Sequence, residues 1–147
     1  MRIIYENEIL KPPEVVFPWI AEPHKAMQWQ MNVKGAEIII NQPEVVGTTF
    51  KEEIEEGGNS LEMRGVITRF IKDQIIAFHL ESKMHGVDVS YSLEGVNKTT
   101  RVTVDARINW KFPINLLSIF IGRKMKRGIA EQLKTEIFEL KRICEMS

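Results

Sequence analysis

Between Val33 and Phe112 apolar and polar residues alternate with the period of strands, and from Pro113 to Ser147 the period becomes that of a helix. The helical stripe is Ile114, Leu117, Ile121, Met125, Ile129, Leu133, Ile137, Leu140 and Cys144, spaced as one buried face. Lys124, Lys126, Arg127, Glu131, Lys134, Glu139, Lys141 and Arg142 make the solvated face. Glu131 with Lys134, and Glu136 with Arg142, read as surface pairs of little energetic weight. Pro113 suits a first helical turn, where its missing N–H is no loss. Gly122 and Gly128 interrupt the run at about 1 kcal/mol each relative to Ala. They mark either a kink or break, or side-chain volume removed beside a pocket.

In the strand region the runs are Val33 to Ile40, Val46 to Glu56, Ser60 to Ile71, Gln74 to Ser82, Gly86 to Glu94 and Thr99 to Phe112. The cleanest alternation sets Val87, Val89, Tyr91 and Leu93 against Asp88, Ser90, Ser92 and Glu94. Val102, Val104, Ala106, Ile108, Trp110 and Phe112 likewise oppose Arg101, Thr103, Asp105, Arg107 and Lys111. Short connections, including Gly57-Gly58-Asn59 and Lys72-Asp73, predict hairpins and hence an antiparallel meander.

Arg2 to Leu10 predicts a first strand with Ile3, Tyr5 and Ile9 on one face. Lys11-Pro12-Pro13 ends it and starts a short helix whose buried side is Val15, Val16, Trp19 and Ile20, while Glu22-Pro23 opens a second through Trp29. One sheet face is therefore wet and the other covered, and the C-terminal helix is the element long enough to cover it. The expected architecture is α+β, with a curved antiparallel sheet of about seven strands, two short helices after the first strand and a long helix across the concave face.

At 147 residues the chain, 1–147, reads as a single domain with room for a core. Lys+Arg and Asp+Glu balance at 20 each, so no global field favours nucleic acid. The single Cys144 excludes an internal disulfide. Met1 to Leu10 lacks a signal-peptide core, which suggests a cytoplasmic protein, and Ile114 to Ile121 is too short an apolar run to span a bilayer.

The segment from Lys11 to Pro23, with Glu22-Pro23 as an acidic-proline pair and Trp29 following, resembles the entry segment of the START-like (SRPBCC) superfamily. The end, Leu133 to Ile143 with Leu140-Lys141, resembles that superfamily's final helix. The resemblance implies a helix-grip fold and a ligand-binding domain of the polyketide cyclase/dehydrase or lipid-transport type. It implies a small hydrophobic ligand such as a lipid, isoprenoid or polyketide, held between sheet and C-terminal helix, and no cofactor. Two alternatives stay open: a cyclase/aromatase-like enzyme, or an interaction module akin to the coenzyme Q-binding and chaperone-cofactor branches.

A ligand cavity is expected to reach roughly 300 Å³. Left void, it would cost ~7 kcal/mol at 24 cal/mol per Å³. Ligand, water or bulky side chains must therefore fill it. The expected lining is Trp29, Phe50, Glu52, Met63, Phe78, Tyr91, Ala106, Ile108, Trp110, Leu117, Ile121 and Met125, with Trp29 as a lid.

Glu52 falls between the inward pair Phe50 and Ile54, so it points to the covered face unless a bulge turns it out. There it would orient a polar ligand end or act as acid or base. Tyr91, also inward, offers its hydroxyl to a ligand, to Glu52 or to backbone. Arg64, between Met63 and Gly65, is outward unless a bulge re-aims it, and His79 reads as exposed. His24, His79 and His85 have no metal-ligand spacing, so no metal site is expected. Leu116, Ile119 and Phe120 beside Arg123, Lys124, Lys126 and Arg127 suggest either peripheral membrane contact or a gate, or else burial by the small helices or in a homodimer.

Overall fold

The computed structural model describes residues 1–56, 58–112 and 114–147, with side chains described outside 56 and 114–121. The strands are β1 (Arg2–Ile9), β2 (Val33–Ile40), β3 (Thr49–Glu56), β4 (Asn59–Ile71), β5 (Ile75–Glu81), β6 (His85–Val96) and β7 (Thr99–Trp110). They form one antiparallel sheet in the order β1-β7-β6-β5-β4-β3-β2. The chain leaves one edge after β1, crosses through α1 (Pro13–Ala21) and α2 (Pro23–Ala26), starts again at the far edge with β2 and winds back. The last helix, α3 (Ile114–Met146), then crosses the concave face, giving the expected α+β helix-grip fold.

Local chemistry explains the turns. Asn97 and Lys98, both at positive φ (51° and 67°), join β6 to β7. Two such residues match the twist of the flanking strands. Gly58 (φ 83°) serves β3 to β4, whose neighbour Gly57 lies outside the described residues.

The packed core sits where α3 meets β1, β7 and α1. Ile9, Val16, Val102, Val104, Ile137, Leu140 and Cys144 are fully buried there. In α1 the inner face is Val16, Phe17 and Ile20, while Val15 and Trp19, expected inside, are only half-buried. The helical period favours that set, and Phe17 packs edge-on to Phe70 at 5.5 Å. The second helix ends at Ala26, and Trp29 is held instead by its indole N–H donating to the Trp19 carbonyl at 2.7 Å.

Phe112, expected inward, lies beyond the end of β7 and is 79% exposed. α3 runs without a break through Gly122 and Gly128, so the expected break does not occur. A Cβ at either glycine would meet nothing within 4 Å beyond the helix itself.

Candidate functional site

Alternation along β3 sends Lys51, Glu53 and Glu55 outward and Phe50 and Glu52 to the concave side, where both line a cavity of ≈ 180 Å³. The β3–β4 register is regular at Glu52↔Met63, so no bulge turns Glu52 out. The register shift of β4 falls instead between Ile67 and Arg69. Arg64 is therefore not re-aimed; it stays exposed, its Nε 3.2 Å from Glu62.

The cavity lies between α1–α2 and the β2–β5 end of the sheet. Its walls include Ile20, Ala26, Ile67, Ile76 and Phe78, with Glu37, Ile38 and Asn41 at an exposed mouth along β2. Its described lining contains no Lys, Arg or His. Phe50 reaches this wall because its cross-strand partner is Gly65, over which the ring lies; a Cβ there would come within 2.3 Å of the ring. Phe50 stands edge-on to Phe78 (6.0 Å), Phe78 is tilted against Tyr91 (6.1 Å), and Tyr91 is edge-on to Trp29 (5.8 Å).

Burial pushes the Glu52 carboxyl up to about 7, and no described side chain hydrogen-bonds it. Behind it stands Glu136 of α3, only 5% exposed. Its Oε2 accepts the Met31 N–H at 2.7 Å, and Gln132 supplies a side-chain hydrogen bond. Desolvation nevertheless raises Glu136 to about 7, and the charge of Glu52 adds to the rise. Tyr91, 4% exposed, has its phenol pKa raised by burial, then by Glu136 and by Glu52. Three groups from β3, β6 and α3 thus feel one another's charge. Two carboxyls near neutrality can hold or pass a proton there.

Sequence reasoning missed Glu136 by assigning it to the wet face with Arg142. Arg142 pairs with Glu139 instead. The signal was spacing: Glu136 is three residues after Leu133 and four before Leu140, inside the buried arc.

Of the other expected lining residues, Phe78 faces the cavity, while Trp29 and Tyr91 adjoin it through ring contacts. Met63, Ala106 and Ile108 are buried away from its described lining. Trp110 is half-buried, stacked on His85 at 4.9 Å, and its indole N–H has no partner among the described residues. Met125 is half-buried on α3. Leu117 and Ile121 fall outside the described side chains, as do Leu116, Ile119 and Phe120; Arg123 and Lys124 are exposed.

The cavity was expected beneath the C-terminal helix. Among the described residues its lining comes from α1, α2 and β2–β5, because the described inner face of α3 is filled by residues 133–144 against β1 and β7.

His79 stands on the outer face, Nδ1 2.8 Å from Asp88 and Nε2 2.7 Å from Glu81, and both partners hold its pKa up. Among the described residues no three His, Cys, Asp or Glu side chains are grouped to hold a metal, and no helix is long and apolar enough to cross a membrane.

A family profile described as "Activator of Hsp90 ATPase homolog 1-like protein" matches residues 11–140. No curated protein matches the chain in sequence. Among solved structures, a START superfamily protein from Mycobacterium smegmatis superposes with a TM-score of 0.82 at 16% identity, covering 99% of this chain and 97% of that one. A protein from Thermus thermophilus also reaches 0.82, at 13% identity and 98% and 97% coverage. An aromatase/cyclase from a Streptomyces species reaches 0.71 at 9% identity, covering 97% and 95%. At these identities the likeness is one of fold.

Proposed function

The chain belongs to the activator of Hsp90 ATPase homolog 1-like family, and on that premise we propose that it binds or carries a small hydrophobic molecule in the cavity between α1–α2 and β2–β5. Proteins of this fold family bind hydrophobic ligands or act as polyketide cyclases. The observation that carries the reading is the cavity itself, walled by Ile20, Ala26, Phe50, Ile67, Ile76 and Phe78. At ≈ 180 Å³ it is smaller than expected. Left without atoms, a void of that size would cost about 4 kcal/mol. That is a large part of a domain's net stability. An apolar guest recovers those contacts, and the mouth at β2 gives it a way in.

Nile red titration tests this. A saturable fluorescence rise is expected with the native chain, and a weaker one with Ala26→Leu, which adds volume from the α2 side. Mass spectrometry of gently extracted protein should detect a co-purifying apolar molecule. Absence of saturable Nile red binding by the native chain would refute the reading.

A second reading, acid–base catalysis of the cyclase type, is favoured by one observation: Glu52, poised near neutrality, lies within the electrostatic reach of Tyr91 and Glu136. On that reading Glu52→Gln abolishes turnover and spares binding.

A further inference from the structure

We propose that the cavity selects an apolar molecule bearing a protonated amine, its ammonium seated against Glu52 and its body against Phe50, Ile76 and Phe78. This rests on the ligand-binding reading above and specifies the ligand's chemistry.

The charge of the site runs one way. Glu52 is the ionisable group in the buried lining, where no cation faces a guest among the described residues, and Glu136, outside that lining, adds its negative charge from behind. Glu136 is already engaged by the Met31 N–H and Gln132, whereas Glu52 has no described hydrogen-bond partner. The Tyr91 hydroxyl, although its residue is 4% exposed, likewise receives no hydrogen bond from any described residue, and it lies in the field of both carboxylates. An unpartnered carboxylate in the wall of an apolar cavity is polar capacity left for a guest.

A carboxylate or phosphate head group would meet the like charge of Glu52 there, reinforced by Glu136 behind it, with no cation among the described lining residues to offset it. An ammonium offers donors and the opposite charge. The rings of Phe50 and Phe78 on the wall, linked by ring contacts to Tyr91 and Trp29 beyond it, add attraction for a cation.

The groups surrounding Glu52 do not cancel this field. Its cross-strand neighbours are Ala36 on β2 and Met63 on β4; Phe78 shares the wall from β5, while Tyr91 of β6 and Glu136 of α3 act on the site electrostatically from outside the described lining. At the mouth, Glu37 is exposed and sits 3.9 Å from Lys51, so that lysine is already paired at the rim. Seating an ammonium requires Glu52 to be ionised. Below about pH 7 binding must therefore expel its proton, and the amine's advantage shrinks as pH falls.

The test is displacement of Nile red by three probes of equal chain length: n-octylamine, 1-octanol and octanoate. At pH 8 octylamine should act at a concentration about tenfold below octanol, with octanoate weakest. The gap between amine and alcohol should close on going to pH 6, and Glu52→Gln should erase it. Octanoate matching octylamine, or a gap that survives Glu52→Gln or is independent of pH, overturns the proposal. If octanol displaces Nile red and no amine preference exists, the charge assignment fails and ligand binding stands. If Nile red itself does not bind saturably, ligand binding and the charge assignment fail together.

Discussion

The concave face of this sheet is finished in two different ways. At the β1–β7–β6 end the last three turns of α3 lie on β1 and β7 and α1 lies on β6 and β7, and Ile9, Val16, Val102, Val104, Ile137 and Leu140 are fully buried. At the β2–β5 end the cover is the last turn of α1 and the four-residue α2, and a cavity remains. One long helix with a continuous apolar stripe fills a groove; two short ones joined at Pro23 bridge it. The difference places close packing at one end and room for a guest at the other.

The largest effect should come from testing that division directly. Leu140→Ala, at the filled end, is expected to cost about 3 kcal/mol, because transfer and cavity terms add where nothing can collapse. Ile67→Ala, half-buried beside the existing cavity, should cost only about 1 kcal/mol. Urea unfolding of both variants measures the contrast. Equal losses would mean that the two ends are not packed differently in solution.

Next comes the pH dependence, which belongs to the hollow end. Glu52 and Glu136 rise from 4.5 to about 7 on folding. The folded state thus holds protons that the unfolded chain releases. The stability associated with these groups is fully present below about pH 4.5 and is lost as pH rises through about 7. For each group the loss is on the order of 2 kcal/mol between pH 5 and 8.

Glu52→Gln should flatten that slope and raise stability at pH 8. His79, whose pKa is also raised, loses its contribution in the same direction as pH rises, but it is a partly exposed group and its share is small. His79→Gln separates the two. Glu81, Asp105, Glu139 and Glu145 have lowered values and act only at acid pH, where their stabilisation is lost. Identical pH slopes for the native chain and Glu52→Gln would remove Glu52 from the account.

The filled end was far more legible in the sequence than the hollow one. Strict alternation in β6 and β7 and the stripe from Leu133 to Cys144 state which faces meet, since each buried residue has a periodic neighbour that repeats the message. Glu52 was also readable, from its place between Phe50 and Ile54. Glu136 was not, because residue type suggested water while helical phase placed it inside, and phase decided. The cavity's position under α1–α2 was unreadable for another reason. A void has no residues of its own, and what opens this one is the length of two short helices and the lie of Phe50 over Gly65.

That lie of Phe50 supplies a third prediction. Gly65→Ala would bring a methyl within 2.3 Å of the ring, so the ring must move. At the filled end such a change has no outlet; here the ring can swing into the cavity. The expected cost is accordingly modest, about 1–2 kcal/mol. Nile red affinity should drop as the ring takes up the space. Retained affinity together with a larger stability loss would show that the ring is locked and the hollow end is as rigid as the other.

The smallest effect concerns backbone strain, which the two ends also carry differently. The β6–β7 turn at the filled end places its positive φ values on Asn97 and Lys98. The cavity mouth places one on Val45, at 70°, a β-branched residue that the left-handed region disfavours by roughly 1–2 kcal/mol. The strain is held by hydrogen bonds: the Val45 N–H donates to the Gln42 carbonyl at 3.0 Å, and the Thr48 N–H donates to that of Val45 at 2.9 Å. Val45 also lines the cavity, so its side chain serves the pocket at the expense of its own backbone. Val45→Gly should relieve the strain but give the unfolded chain more freedom, leaving a net gain of about 0.5 kcal/mol. It should also weaken Nile red binding by removing part of a wall. A gain in stability with a loss of binding is the signature of a residue kept for the site; a loss of both would make Val45 an ordinary part of the packing.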